Sequence, residues 1–167
     1  MTNSTIGTFE RYEVRLFSGS GNPPFFLVGQ TNGLLAAWRN VENAEIHIQL
    51  PASINQSIPG FEFLSLDIAQ NHESSPSLNA PGTNKDLSIQ LNFGTSAGPQ
   101  VRISDYGTLH YPIVTSSGTK SVKQTIRIPW KDLFGETKPG TNVTEIVLKF
   151  NRHNSGLVSI DEIQLTN

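Results

Sequence analysis

The sequence predicts an all-β fold: one antiparallel two-sheet β-sandwich of the jelly-roll type. Short runs of β-branched and aromatic residues recur at intervals of roughly ten to twenty residues, and clusters of Gly, Pro, Asn and Ser separate them. Several runs alternate apolar and polar residues, as in Ile46-His47-Ile48. Helical periodicity never persists for three turns, so the crossover helices of a parallel sheet are not expected.

These patterns predict the elements in chain order. The predicted strands are Phe9–Phe17, Phe25–Gly29, Leu34–Trp38, Ala44–Leu50, Phe61–Ala69, Leu87–Phe93, Val101–Ser104, Leu109–Val114, Lys123–Ile128, Glu145–Asn151 and Leu157–Leu165. Alternating strands bury one face, which directs Ile126, Ile128, Ile146, Leu148, Phe150 and Ile160 into the core. Residues 130–134 form at most one helical turn, and residues 71–85 form a polar loop. We expect one domain over residues 6–167, preceded by tag or linker residues 1–5.

The composition excludes several classes of function. The chain has 167 residues, a net charge of -2 and only 16% charged residues, so it offers no basic surface for nucleic acid or an anionic membrane. It contains no cysteine, which excludes disulfides, thiolate metal sites and cysteine nucleophiles. No apolar run is long enough to span a membrane, and the N-terminus lacks the features of a signal peptide. We expect a module of a larger secreted or extracellular protein.

Catalytic patterns are absent or incomplete. Residues 94–98 (GTSAG) match the G-x-S-x-G pattern of a hydrolase nucleophile elbow, but that elbow requires a helix after the serine. Pro99 and a returning strand follow instead, so Ser96 is predicted to lie in a hairpin. No E-x-D pair, which would direct two acids into one glycosidase cleft, occurs in the sequence. The four histidines show none of the short spacings that are typical of zinc sites.

The C-terminal third carries a family resemblance. Its features are Ile128-Pro129-Trp130, Asp132-Leu133-Phe134, Ile146-x-x-x-Phe150 and a final Ile160-Asp161-Glu162-Ile163-x-Leu165, while Phe9-Glu10 opens the chain. This order resembles the jelly-roll carbohydrate-binding modules of the galactose-binding-like superfamily, and is similar to family 11 and more distantly to families 4 and 22. The resemblance implies a non-catalytic module that attaches linked enzyme or surface domains to a polysaccharide or oligosaccharide.

The resemblance also implies a structural calcium ion. In these modules the first and last strands lie together, and an acid from each often binds the ion, which takes oxygen ligands. Carried over to this chain, Glu10 and Asp161 supply the carboxylates. Adjacent acids are unusual within a strand, so we expect a β-bulge at Asp161 with Glu162 facing water. A solvated bulge without metal is the alternative.

Sugar binding requires flat aromatic surface together with planar polar groups. The candidate ligand-binding residues are Tyr106, Tyr111, Arg102, His110, Gln90, Asn92 and Trp38. Trp130, just past a strand end, is expected in the core. Two alternatives stay open. One is a structural or adhesive sandwich without a sugar ligand, and the other is a small polysaccharide lyase that uses Tyr and His, with Arg neutralising an acidic sugar.

Overall fold

Alternating apolar and polar residues place two antiparallel sheets face to face, which confirms the predicted two-sheet sandwich. The computed structural model describes residues 4–5, 12–17, 25–30, 34–39, 43–50, 61–71, 78, 82–135 and 142–167, with side chains from residue 34 onward. The strands are β1 (Ser4–Thr5), β2 (Tyr12–Phe17), β3 (Phe25–Gln30), β4 (Leu34–Arg39), β5 (Asn43–Gln49), β6 (Phe63–Gln70), β7 (Ser88–Phe93), β8 (Ser96–Ala97), β9 (Val101–Arg102), β10 (Ile113–Thr115), β11 (Gly118–Lys120), β12 (Lys123–Pro129), β13 (Glu145–Lys149) and β14 (Ser155–Thr166). A short helix, α1 (Trp130–Phe134), follows β12.

The two sheets divide the strands non-sequentially. Sheet A has the order β12-β6-β14-β4-β3, and β1 also pairs with β14. Sheet B has the order β2-β5-β13-β7-β8, and β9 pairs with β7. Strands β10 and β11 form a separate two-stranded hairpin. No described helix is long and apolar enough to cross a membrane.

The core lies between the inner faces of the sheets. Sheet A contributes Leu64, Leu66, Ile68, Ile126, Ile128 and Ile160 to one buried cluster, and sheet B contributes Ile46, Ile89, Leu91, Ile146 and Leu148. Phe150, just after β13, joins the same cluster. All six side chains that the sequence directs inward are therefore buried as predicted. Burial of this apolar surface is the main stabilising contribution to the sandwich.

A β-bulge interrupts β14 at the adjacent acids, as predicted. Asp161 pairs with Asp67 of β6, but the next pair is Ile163 with Leu66, so Glu162 is the extra residue. Glu162 has a positive φ of 36° and is exposed. Because Ile160 and Ile163 are both buried in the core, the bulge restores the inward direction of the apolar residues and leaves both carboxylates outside.

Three segments differ from the sequence prediction. Ser4 pairs with Leu165 and Thr5 with Gln164 of β14, so residues 4–5 extend sheet A ahead of the predicted start of the domain. The predicted strand over 101–104 ends at residue 102 and continues as a 3-10 turn over Ile103–Asp105. The predicted strand over 109–114 begins only at residue 113, because Pro112 has no N–H to donate to a ladder.

Candidate functional site

The outer face of sheet B carries a band of mostly polar side chains, which we call the polar face. Its polar members are Glu45, His47, Gln49, Ser88, Gln90, Asn92, Arg102, Glu145 and Lys149, and the buried Val147 lies among them. They alternate along their strands with core residues. Strand register sets them in rows: Glu45, Lys149, Ser88 and Arg102 are successive cross-strand neighbours. Such neighbours have Cβ atoms about 4.5 to 5.5 Å apart, so their side chains contact one another.

His47 lies at the centre of this face and bridges two glutamates. Its Nε2 is 2.9 Å from Glu45 Oε2 and its Nδ1 is 3.0 Å from Glu145 Oε2. Both ring nitrogens therefore lie within hydrogen-bond distance of a carboxylate oxygen, and a carboxylate accepts hydrogen bonds. The side chain is only 4% exposed, so water screens these contacts weakly.

Two further side chains complete the network. Lys149 Nζ donates to Glu45 Oε1 at 2.6 Å, and Asn92 Nδ2 donates to Glu145 Oε2 at 2.9 Å. Burial acts to raise the pKa of the Glu45 carboxyl, but the hydrogen bonds from Lys149 and His47 outweigh it and hold that pKa below its ordinary value. Five side chains from β5, β7 and β13 are therefore fixed relative to one another, which reduces the entropy they would lose on any further contact.

The β7–β9 edge of the polar face is also ordered by hydrogen bonds. Gln90 Nε2 donates to the carbonyl of Gly98 at 2.6 Å, and Arg152 Nε donates to Ser88 Oγ at 3.0 Å. Arg102 is exposed beside Ser88. The structure thus brings together three of the predicted ligand-binding residues, Gln90, Asn92 and Arg102, on one face.

The other polar and aromatic candidates lie in the segment that links β9 to β10. Tyr106 packs against the core, and its hydroxyl donates to Asp132 Oδ2 at 2.8 Å. Burial and this hydrogen bond raise the pKa of Tyr106 to about 12. The backbone N–H of Tyr111 donates to Asn84 Oδ1, and His110 is exposed. Tyr106, His110 and Tyr111 do not belong to the polar face, and their contact with a sugar stays a prediction.

Trp38 does not offer a stacking surface, so its assignment to ligand binding is wrong. Its ring is fully buried, tilts against Phe150 at 4.8 Å between centroids, and donates from Nε1 to the carbonyl of His153 at 2.8 Å. Gly156, its cross-strand partner in β14, makes room for it, because a Cβ there would overlap the indole. Trp130 is buried, as predicted.

The outer face of sheet A holds an ion-pair cluster at the bulge. Lys123 Nζ lies 3.0 Å from both Asp67 Oδ2 and Asp161 Oδ2. Thr125 Oγ1 donates to Asp67 Oδ1 at 2.6 Å, and this bond with the lysine contact overcomes burial to lower the pKa of Asp67. An open pocket of about 320 Å³ lies over these groups.

This cluster bears on the calcium prediction. The ammonium of Lys123 already neutralises Asp161, and no group of three or more acidic, histidine or cysteine side chains within the described ranges is arranged to hold a metal. Glu10, the other predicted ligand, lies outside the described residues. The described residues alone therefore do not fit a calcium ion at Asp161. The ion would have to displace the lysine and take its further ligands from elsewhere in the chain.

Ser96 lies in a hairpin, as predicted. Asn92 and Phe93 of β7 pair with Ala97 and Ser96 of β8, and Gly94, at the turn, has a φ of 69°. No helix follows the exposed serine. The structural context of a nucleophile elbow is absent from this part of the chain.

Sequence reasoning missed the glutamates and Lys149 as site residues. Alternation along β5 puts Glu45 and His47 on one face, and alternation along β13 does the same for Glu145 and Lys149. The missing information was the pairing of β5 with β13, which brings together residues about a hundred positions apart. No local signal in either strand identifies the other as its neighbour.

Comparison with known proteins identifies the fold. No protein-family model and no curated protein matches the sequence. A family 11 carbohydrate-binding module from Clostridium thermocellum, in complex with a beta-1,3-1,4-mixed-linked tetrasaccharide, has a TM-score of 0.60 and 17% identity, with 99% of this chain and 95% of that one covered. A family 30 carbohydrate-binding module has a TM-score of 0.61 and 16% identity, with 99% and 88% covered.

A longer protein also contains this fold. A beta-1,2-glucanase from Parabacteroides distasonis matches with a TM-score of 0.55 and 13% identity, with 95% of this chain but 23% of that chain covered. The sandwich is therefore a jelly roll of the kind found in carbohydrate-binding modules, and the predicted similarity to family 11 is confirmed at the level of the fold.

Proposed function

We propose that this chain is a non-catalytic carbohydrate-binding module, and that its sugar-binding surface is the polar face of sheet B. The observation that carries the proposal is the hydrogen-bonded network on this face, formed by His47, Glu45, Glu145, Lys149 and Asn92. A network of polar and charged side chains fixed in place presents donors and acceptors at set positions, which meets the polar part of what sugar binding requires. The likeness of the whole fold to modules of families 11 and 30 supports the proposal.

Binding is favoured over catalysis by the state of the described candidate groups. Tyr106 would have to lose its proton to act as the base of a lyase, but its raised pKa opposes that loss. Glu45 and Glu145 both engage His47, so neither is a free acid or base. A structural sandwich without a ligand would not need this network on its outer face, because buried ion pairs are weak contributors to stability.

The wider role is part of the same proposal. A module of this kind attaches the secreted or surface protein that contains it to a polysaccharide. The match to less than a quarter of a glucanase supports this, since it shows that such a sandwich occurs within a longer enzyme. A structural calcium ion with Glu10 and Asp161 as ligands is also proposed, and it has a separate test because Asp161 lies in sheet A, away from the polar face.

A binding experiment tests the surface. Affinity electrophoresis against a panel of soluble polysaccharides should identify at least one retarding polymer. The single variants Gln90→Ala and Asn92→Ala should each bind that polymer about tenfold or more weakly, since each loses hydrogen bonds to the ligand. Gln164→Ala, an amide on the outer face of sheet A, is the matched control and should bind like the wild type. If Gln90→Ala and Asn92→Ala were both retarded to the wild-type extent, the polar face would be excluded as the sugar-binding surface.

A further inference from the structure

Two arginines at the β7–β9 edge of the polar face have no carboxylate partner among the described residues. We infer that Arg102 and Arg152 bind the anionic group of an acidic sugar residue, either a uronate carboxylate or a sulfate ester. The inference rests on the proposed function, because it specifies the class of glycan that the same face binds.

The strand register places cationic side chains on both sides of Ser88. Ser88 is the cross-strand neighbour of Lys149 on one side and Arg102 on the other. The adjacent residues Ile89 and Val101 are buried, so the side chains of Ser88 and Arg102 must point outward. Ser88 is itself fully buried, so neighbouring side chains cover this small residue.

Arg152 comes to the same place from the segment after β13. Its Nε donates to Ser88 Oγ, while the neighbouring Asn151 donates from Nδ2 to Gln100 Oε1 at 3.0 Å. These two bonds tie residues 151–152 to β7 and to the residue that precedes β9. The Nε bond orients the guanidinium, and within the described part of the chain no residue accepts a bond from its Nη groups. An oriented guanidinium presents paired N–H donors that match two oxygens of a carboxylate or sulfate.

The charges at this edge leave the arginines uncompensated. Glu45 and Glu145 are both engaged by the His47 network. Asp86, two residues before β7, accepts from the backbone N–H of Leu87 and from the N–H and hydroxyl of Ser104. Asp105, in the 3-10 turn, forms no ion pair with either arginine. Asp86 keeps its negative charge because these donors are neutral, but among the described residues no ion pair links it to Arg102 or Arg152.

A neutral glycan would leave this arrangement unused. Two exposed guanidiniums beside Lys149 repel one another, and an anion between them relieves that repulsion while forming charge-assisted hydrogen bonds. Because both arginines are exposed, the attraction should weaken as salt concentration rises. The edge therefore selects for a sugar that carries a negative group.

The test compares matched polymers and matched variants. Isothermal titration would use a panel of polyuronates, the same polymers after reduction of their carboxyl groups, and sulfated polymers of the same backbones. We expect the wild type to bind at least one anionic polymer about tenfold or more tightly than its neutral counterpart, and Arg102→Gln/Arg152→Gln to lose that preference. Arg127→Gln, an exposed arginine of sheet A, should keep it. A preference for the carboxylate or for the sulfate form identifies the group that is bound.

The possible failures are distinguishable. Equal binding of anionic and neutral forms, or an unchanged preference in the double variant, would overturn the inference and leave the proposed function standing. Binding to no polysaccharide at all would overturn both. If the double variant does not fold, Arg102→Gln carries the test, because that side chain is exposed and has no described hydrogen bond.

Discussion

Replacing His47 by leucine should destabilise the protein, because it removes the ring that bridges two largely buried carboxylates. Leaving the remaining charges of a buried ion pair without their partner typically costs about 3 to 5 kcal/mol. Glu45 keeps Lys149, Glu145 keeps Asn92, and their side chains are 16% and 19% exposed. We therefore expect the lower end, about 3 kcal/mol in the free energy of unfolding, which corresponds to a decrease in Tm of roughly 6 to 12 °C for a chain of this size.

Urea unfolding at pH 7 measures this loss. His110→Leu, which changes an exposed histidine, is the matched control and should alter stability by less than about 0.5 kcal/mol. Adding Glu145→Gln to His47→Leu should recover part of the loss, because it removes the carboxylate charge that His47 contacts in the wild type. A loss below about 1 kcal/mol, the size typical of an exposed ion pair, would refute the reasoning that this network is formed and shielded from water.

Three further predictions concern packing, pH and metal. Gly156→Ala should destabilise the fold by about 1 to 3 kcal/mol in urea unfolding, because its Cβ would overlap the buried ring of Trp38; an unchanged midpoint would contradict that packing. The folded pKa of Glu45 lies below its ordinary 4.5, so its stabilisation is present above that value and lost as pH falls through the folded pKa. Stability should thus decrease more below pH 4.5 in the wild type than in Glu45→Gln, and parallel curves would contradict this. The proposed calcium ion should raise the Tm of the wild type but not of Asp161→Ala, and equal shifts would remove Asp161 as a ligand.

Local patterns predicted which face a residue occupies wherever apolar and polar residues alternate. The bulge could also be predicted, since Ile160 and Ile163 are an odd number of positions apart and only an inserted residue directs both inward. Trp38 could not be placed, because residues 34–38 are all apolar and give no alternation. Its burial depends on Gly156, more than a hundred residues away.

The candidate site was also predictable only in part, because it too depends on contacts between residues that are distant in the sequence. Gln90, Asn92 and Arg102 were identified as outward polar residues of separate strands, and strand pairing places them on one face. Tyr106 and Tyr111 were chosen for their chemistry, but the segment that contains them, between the 3-10 turn and β10, belongs to neither sheet. Long-range pairing decides between these outcomes, and a single sequence does not encode it in any local pattern.

Mapping a bound oligosaccharide by NMR tests the central claim most directly. Backbone amide shifts would be followed while a fragment of the best-binding polysaccharide is added to the labelled protein. The account predicts that the largest changes lie in β5, β13, β7 and β9, and that they include His47, Asn92 and Arg102. Changes confined to the outer face of sheet A, around Lys123 and Asp161, or no changes with any polysaccharide fragment, would contradict it.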